Sequence, residues 1–283
     1  MIRSWMFIPG SHDKHLQKAQ SLDSDVLIFD LEDAVAENEK KVARQKIIPF
    51  LKNQQHKKCY VRVNSLESPH FMKDIKDIIC LELDGIILPK ASCTEDIIIT
   101  DYLLKQMEME SNIPKGKTKI VPLIENGIGI HNSYTIAVAS ERIMCLAFGA
   151  EDFTLDLSIN TTENESELQY ARAKLVEVSG AAGIEAPIDT VYTSIQNQKG
   201  LQKSAYNSKN LGFQGKLAIH PEQLKIINTA YSYSTEQIEE AKAIVSAYNK
   251  SIAQGKGAIE YNGKMIDMPV AEKAKNILKK LKD

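Results

Sequence analysis

Several things are scarce in this chain. Four cysteines occur in 283 residues, Cys59, Cys80, Cys93 and Cys145, widely scattered and without a CxxC pair. They read as reduced core or near-surface residues and give no basis for a disulfide scaffold. Neither sign of charge dominates: 35 Lys and Arg stand against 37 Asp and Glu, a formal charge of −2. Nothing there points to nucleic acid or an anionic membrane as a partner. No apolar run approaches the length of a membrane span. The first residues enter an expected strand by Trp5 without the long apolar core of a signal peptide, so a cytoplasmic location is expected. No GxGxxG turn follows that strand, which disfavours a dinucleotide-binding sheet. Low-complexity segments and obvious linkers are also missing.

What is present is ordinary in bulk and informative in pattern. Hydrophobic residues make up 43% and charged ones 25%, the balance of a globular protein long enough to bury a large core. The most telling stretch runs from Lys119 to Asp152. It holds two strand-length apolar runs, Ile120–Ile124 and Ile143–Phe148, too short for helices and too continuous to face water on one side. The first run leads into Glu125, followed by Asn126-Gly127-Ile128-Gly129; the second leads into Gly149-Ala150-Glu151-Asp152. Residues 130–141 between them have room for one helix. Parallel strands joined in this way bring both acids to one edge of the sheet. Two convergent carboxylates beside glycines suit a hard divalent cation, with Mg²⁺ first in line. Helix caps or partners of surface lysines are the plainer reading of the same acids.

Taken in order, further strands are expected at Trp5–Ile8, Val26–Phe29, Tyr60–Val63, Ile86–Leu88, Ala186–Val191 and Leu217–Ile219, making eight in all. Helical stretches separate most of them, the first with Ser11 or Asp13 as candidate N-cap. Eight such units fit an α/β fold of the (β/α)₈ (TIM) barrel type. Gly10, Asp30, Glu32, Asp33, Arg62, Asn64, Lys90, Glu125, Asp152 and His220 all lie at or just past the C-terminal end of a run. That end is where such barrels carry chemistry, and so concentrated a set is hard to attribute to capping alone. Residues 1–230 are expected to form the barrel. Residues 231–283 form a C-terminal helical and hairpin extension: a helix opened by Ser234, a hairpin turning at Asn262-Gly263, and a last helix after Asp267-Met268-Pro269. A closed barrel has no use for this segment, so it either packs outside or reaches a neighbouring subunit.

The residues also resemble a known family. Arg3–Gly10, Phe29–Val35, Arg62-Val63-Asn64, Leu88-Pro89-Lys90, Glu125 with Gly129, Phe148–Phe153, Ala218–Pro221 and Gly263–Pro269 are similar, in order and across nearly the whole chain, to the citrate lyase β-subunit-like branch of the HpcH/HpaI aldolases. The resemblance implies a barrel that forms homotrimers and cleaves or forms 3-hydroxyacyl thioesters. It implies Glu125 and Asp152 as Mg²⁺ ligands, with Glu125 also facing the substrate. Arg62 would bind the 2-oxo acid carboxylate and hold developing negative charge. Phe7, Lys14, Lys18, Ile219 and His220 match coenzyme A contacts, and Asp267 matches a catalytic acid/base delivered into the adjacent subunit's site.

Each assignment has a plainer counterpart. Arg62 could simply pair with Asp30 or Glu32, Lys14 and Lys18 could be a solvated stripe, His220 could end a strand, and Asp267 could be an N-cap. Two stretches depart from the pattern. The loop after Glu125 reads Asn126-Gly127-Ile128-Gly129 in place of Ser/Thr-Ala-x-Gly, and Thr193–Asn197 stands where acyl-CoA lyases often carry an Asp-Phe pattern. The expected activity is a Mg²⁺-dependent carbon–carbon lyase on malyl-CoA or citramalyl-CoA. The alternative is a citryl-thioester lyase subunit whose substrate rides on an acyl carrier protein or on CoA, and behind it stands a non-catalytic CoA-binding scaffold.

Overall fold

The computed structural model describes residues 2–52 and 57–281. The barrel is built from β1 (Ser4–Pro9), α1 (Asp13–Ala19), β2 (Val26–Asp30), α2 (Lys40–Lys52), β3 (Lys58–Arg62), α3 (Phe71–Ile78), β4 (Gly85–Leu88), α4 (Thr94–Glu110), β5 (Lys119–Ile124) and α5 (Gly127–Ala137). It continues through β6 (Ala147–Phe148), α6 (Ala150–Asp156), α7 (Gln169–Ala182), β7 (Ile188–Asp189), α8 (Gln198–Leu211), β8 (Gly215–Ala218) and α9 (Glu222–Tyr231). The eight strands are parallel to their neighbours and close in sequence order, β8 pairing back onto β1.

Strand alternation divides the core in two. Leu27, Phe29, Val61, Ile86 and Leu88 point outward and pack with helix residues such as Leu16, Ala43 and Ile47. Trp5, Val26, Ile28, Tyr60, Val121 and Leu217 point inward and fill the cylinder. Trp5 and Tyr60 stack there with ring centroids 4.9 Å apart. Gly85 is required beside them, because a Cβ would lie 2.5 Å from the Tyr60 ring and 2.6 Å from the Lys119 carbonyl.

The outward layer carries buried charges, among them a group centred on β7 and β8. Asp189 on β7 and Lys216 on β8 are register neighbours, and both are fully buried. The Lys216 ammonium donates to Asp189 at 2.6 Å, and Arg172 of α7 donates to both Asp189 oxygens at 2.8 and 3.1 Å. Arg172 also reaches Glu165, which sits at a positive φ of 53°. Burial opposes ionisation of Asp189, but the two cations hold its carboxyl below the usual range.

Three local expectations change. Neither Ser11 nor Asp13 caps α1: His12 occupies the N-cap position without a side-chain hydrogen bond, and Asp13 lies in the first turn. The run 143–148 pairs as a strand only at Ala147–Phe148, plus a single bridge from Ile143 to Ile120, and the run 186–191 narrows to Ile188–Asp189. Cys145 and Leu146 are buried without ladder pairing, and Met144, Ala186 and Val191 are half-buried. The helix expected over 130–141 starts at Gly127 because the Asn126 side chain accepts from the Gly129 amide at 2.7 Å, and it ends at Ala137.

The residues from Ser232 onward form a second compact unit, separate from the unit Ile2–Tyr231. Helix α10 (Thr235–Ala253) opens on a capping box between Ser234 and Gln237. Strands β9 (Ile259–Tyr261) and β10 (Lys264–Ile266) pair as an antiparallel hairpin, and α11 (Met268–Lys280) follows. Asn262 and Gly263 have φ of 50° and 72°, the two left-handed residues that a tight hairpin turn needs. Among the described residues no helix is long and apolar enough to cross a membrane.

Candidate active site at the barrel mouth

Inward-facing columns end in the functional side chains. On β2 the column Val26, Ile28 continues to Asp30, and on β3 Tyr60 continues to Arg62. On β5 Val121 and Leu123 continue to Glu125, one residue past the strand. The same parity brings Phe7, Gly149, Thr190 and Ile219 to the mouth from β1, β6, β7 and β8. A cavity of about 200 Å³ opens there, lined among others by Phe7, Arg62, Glu125, Asp152, Thr190 and Ile219.

Arg62 is the organising cation. Its Nε and Nη2 donate to the two Asp30 oxygens at 2.7 and 2.6 Å, a bidentate fork. Its Nη1 lies 3.1 Å from Glu32 and 3.2 Å from the exposed Asp33. The guanidinium carbon sits 4.9 Å from the centre of the Phe7 ring, a cation–π contact. Burial works against its charge, yet Asp30, Glu32 and Asp33 together raise its pKa.

Glu125 is 3% exposed. Its Oε1 accepts from the Lys90 amide at 2.7 Å, a geometry for which Lys90 adopts a φ of 54°. Gly149 has to be glycine here, since a Cβ would fall 2.8 Å from both Cβ and Oε2 of Glu125. Burial, and then the nearby Glu32 and Asp152 carboxylates, push the Glu125 carboxyl up to about 8. Glu32 rises to about 7, mainly through burial that Arg62 only partly offsets. The side chain of Lys90 is half exposed and stands 3.5 Å from Glu32.

Negative charge is in surplus here: the buried Asp30, Glu32 and Glu125, the half-buried Asp152 and the exposed Asp33 stand against Arg62 and Lys90. After burial, repulsion from Glu32 and then from Asp152 raises the Glu125 carboxyl, a crowding of carboxylates that a bound cation would relieve. Among the described residues no three His, Cys, Asp or Glu side chains are grouped to hold an ion. Glu125 and Asp152 would therefore supply two oxygens, with waters and substrate oxygens completing the shell, a pattern that suits Mg²⁺.

The remaining sequence candidates scatter. Phe7 and Ile219 line the cavity. Lys14 and Lys18 are exposed on α1. His220 is half-buried just past β8, where its Nδ1 accepts from the Glu222 amide at 3.3 Å. Asp267 lies in the second unit, where it caps α11 by accepting from the Val270 amide at 3.2 Å. Two contributors escape sequence reasoning: the Lys90 amide, which acts through backbone, and Thr190, an isolated threonine with no motif around it. The inward parity of β7 was the one signal that could have pointed to Thr190.

Residues 3–221 match the family model described as HpcH/HpaI aldolase/citrate lyase. The citrate lyase subunit beta of Haemophilus influenzae is 35% identical over 282 residues, covering 99% of this chain and 97% of that one. The L-malyl-CoA/beta-methylmalyl-CoA lyase of Cereibacter sphaeroides is 32% identical, covering 98% and 93%. A CitE protein from Mycobacterium tuberculosis, solved in complex with magnesium, acetoacetate and coenzyme A, superimposes with a TM-score of 0.80 at 24% identity, covering 100% of this chain and 98% of that one. At that identity it speaks to the fold alone. The chain belongs to the HpcH/HpaI aldolase/citrate lyase family.

Proposed function

We propose that the chain is a Mg²⁺-dependent carbon–carbon lyase that cleaves a 3-hydroxyacyl-CoA thioester, such as malyl-CoA or citramalyl-CoA, into acetyl-CoA and a 2-oxo acid, or runs the reverse condensation. The observation that carries this reading is the convergence of the buried Glu125 and the half-buried Asp152 on one cavity, beside the guanidinium of Arg62 that Asp30 holds in place. When bound, Mg²⁺ would supply Lewis acidity towards the substrate hydroxyl oxygen that becomes the carbonyl of the 2-oxo acid. Arg62 offers a preorganised positive charge where negative charge accumulates on the departing acyl group. An anionic substrate group reaches it by displacing Asp33, the exposed member of its three carboxylate partners. Asp267 serves as the acid that protonates the enolate carbon in cleavage and as the base that removes the methyl proton in condensation. Its delivery from a neighbouring subunit makes the working form an oligomer, a trimer in this reading. Lys14 and Lys18 pair with coenzyme A phosphates, while Phe7, Ile219 and His220 contact the rest of that cofactor.

A second reading is favoured by one observation, the 35% identity over 99% of the chain to a citrate lyase subunit beta. In it the substrate is a citryl thioester, yielding oxaloacetate, and the thioester sits on an acyl carrier protein. The deciding experiment assays malyl-CoA, citramalyl-CoA and citryl-CoA with Mg²⁺, each with and without EDTA. Metal-dependent cleavage of malyl- or citramalyl-CoA supports the first reading, and cleavage of citryl-CoA alone supports the second. If all three stay intact, the free CoA-thioester lyase is ruled out, and the carrier-protein thioester becomes the substrate to assay.

A further inference from the structure

Helix α6 carries Asp152 in its first turn, and it begins in an unusual way. Its N-cap is Gly149, which has no side chain to satisfy the first amides. The glycine is forced by the other carboxylate, because any Cβ there would collide with Glu125 at 2.8 Å. The missing cap comes from the adjacent strand, β7. Thr190, 2% exposed at the end of β7, places its hydroxyl oxygen 2.9 Å from the Ala150 amide and accepts its hydrogen bond. Thr190 is in turn held by its neighbour Asp189, which is pinned on the opposite face of β7 by Arg172 and Lys216.

We propose that Thr190 is a positioning residue for Asp152, a cap supplied by a second strand that fixes the Asp152 carboxylate opposite Glu125. The proposal rests on the divalent-cation reading of those two carboxylates. Thr190 has no part in binding the ion itself. Its hydrogen bond sets where one of the two donors stands, and outer residues of this kind typically change metal affinity or activity by about 10–100-fold.

The test compares the full-length protein with Thr190→Val, which keeps shape and loses the acceptor, and with Thr190→Ser, which keeps the acceptor. Mn²⁺ binding is measured by electron paramagnetic resonance and Mg²⁺ binding by calorimetry, with thermal melts in EDTA as a control for folding. The expected result is at least about tenfold weaker cation binding in Thr190→Val and recovery to within about threefold in Thr190→Ser. Melts in EDTA should agree to within a few degrees, the scale of one lost cap. Equal cation affinity in Thr190→Val and wild type would overturn the positioning role while leaving the cation site standing. Wild-type protein that binds neither ion would instead overturn the cation reading and the proposal with it. Should Thr190→Val fail to fold, Thr190→Ala read against Thr190→Ser decides by the same affinity ratio.

Discussion

Arg62 and Asp30 are register partners on β3 and β2, and their side chains meet in a two-pronged fork of 2.7 and 2.6 Å at the last rung of the barrel. The fork aligns the guanidinium before any substrate arrives. It also makes Arg62 part of the fold, since Asp30 is 1% exposed and has no solvent to fall back on. Arg62→Ala is therefore expected to lower kcat/KM by about 10²–10³-fold and to cost about 3–5 kcal/mol of stability by stranding a buried carboxylate. Arg62→Lys keeps the charge but cannot form the fork. It should regain much of the stability and little of the rate. Steady-state kinetics alongside denaturant melts separate the two effects, and a lysine variant with full activity would remove the geometric argument.

The raised carboxyls set a pH dependence of unusual sign. Glu125 stands at about 8 against an ordinary 4.5, and Glu32 at about 7. Between the ordinary and the raised value the folded protein holds protons that the unfolded chain has released. Stability without a cation must then fall as pH rises through that window, a range in which salt-bridged carboxylates, ionised in both states, contribute no slope. A cation replaces those protons, so its apparent affinity should climb with pH, by up to about tenfold per unit for each proton displaced, and level off above about pH 8. Thermal melts in EDTA and in Mg²⁺ across this range read both halves. Cation affinity independent of pH would show that these carboxyls are already ionised.

Asp267 lends itself to a clean substitution, because Asn is as good an N-cap as Asp. Asp267→Asn should melt within about 0.5 kcal/mol of wild type and bind Mg²⁺ unchanged, while turnover drops by about 10²-fold or more. Mixing Asp267→Asn protein with Glu125→Gln protein, each inactive alone, should restore part of the activity if a site is completed by a neighbouring chain. Failure to rescue after demonstrated subunit exchange would confine Asp267 to its own subunit.

How much of this was readable beforehand depends on which physical signal each residue leaves. Asp30, Arg62 and Glu125 were legible because each stands at or just past the C-terminal end of an apolar run, the end at which such barrels carry their chemistry. The lengths of β6 and β7 were overestimated because apolarity reports burial, whereas a strand requires main-chain pairing. Cys145 and Leu146 are buried, yet lie outside the ladder. Asp189 and Lys216 were opaque for the opposite reason. Charges inside short strands look like weakened strands until Arg172, from the helix preceding β7, supplies the third member. Thr190 and the Lys90 amide leave no trace in composition, since one is a common residue and the other acts through its backbone.

The short seventh strand has a consequence for how the barrel comes apart. β6 meets β7 through one register pair, Ala147 with Ile188, and β7 meets β8 through two. With so few rungs on either side of β7, closure passes to Asp189, Lys216, Arg172 and the hydroxyl of Thr190. The wall is thinnest beside the Asp152 helix, so the cylinder has a preferred seam, and the first local opening of the structure would begin at the edge of its own active site.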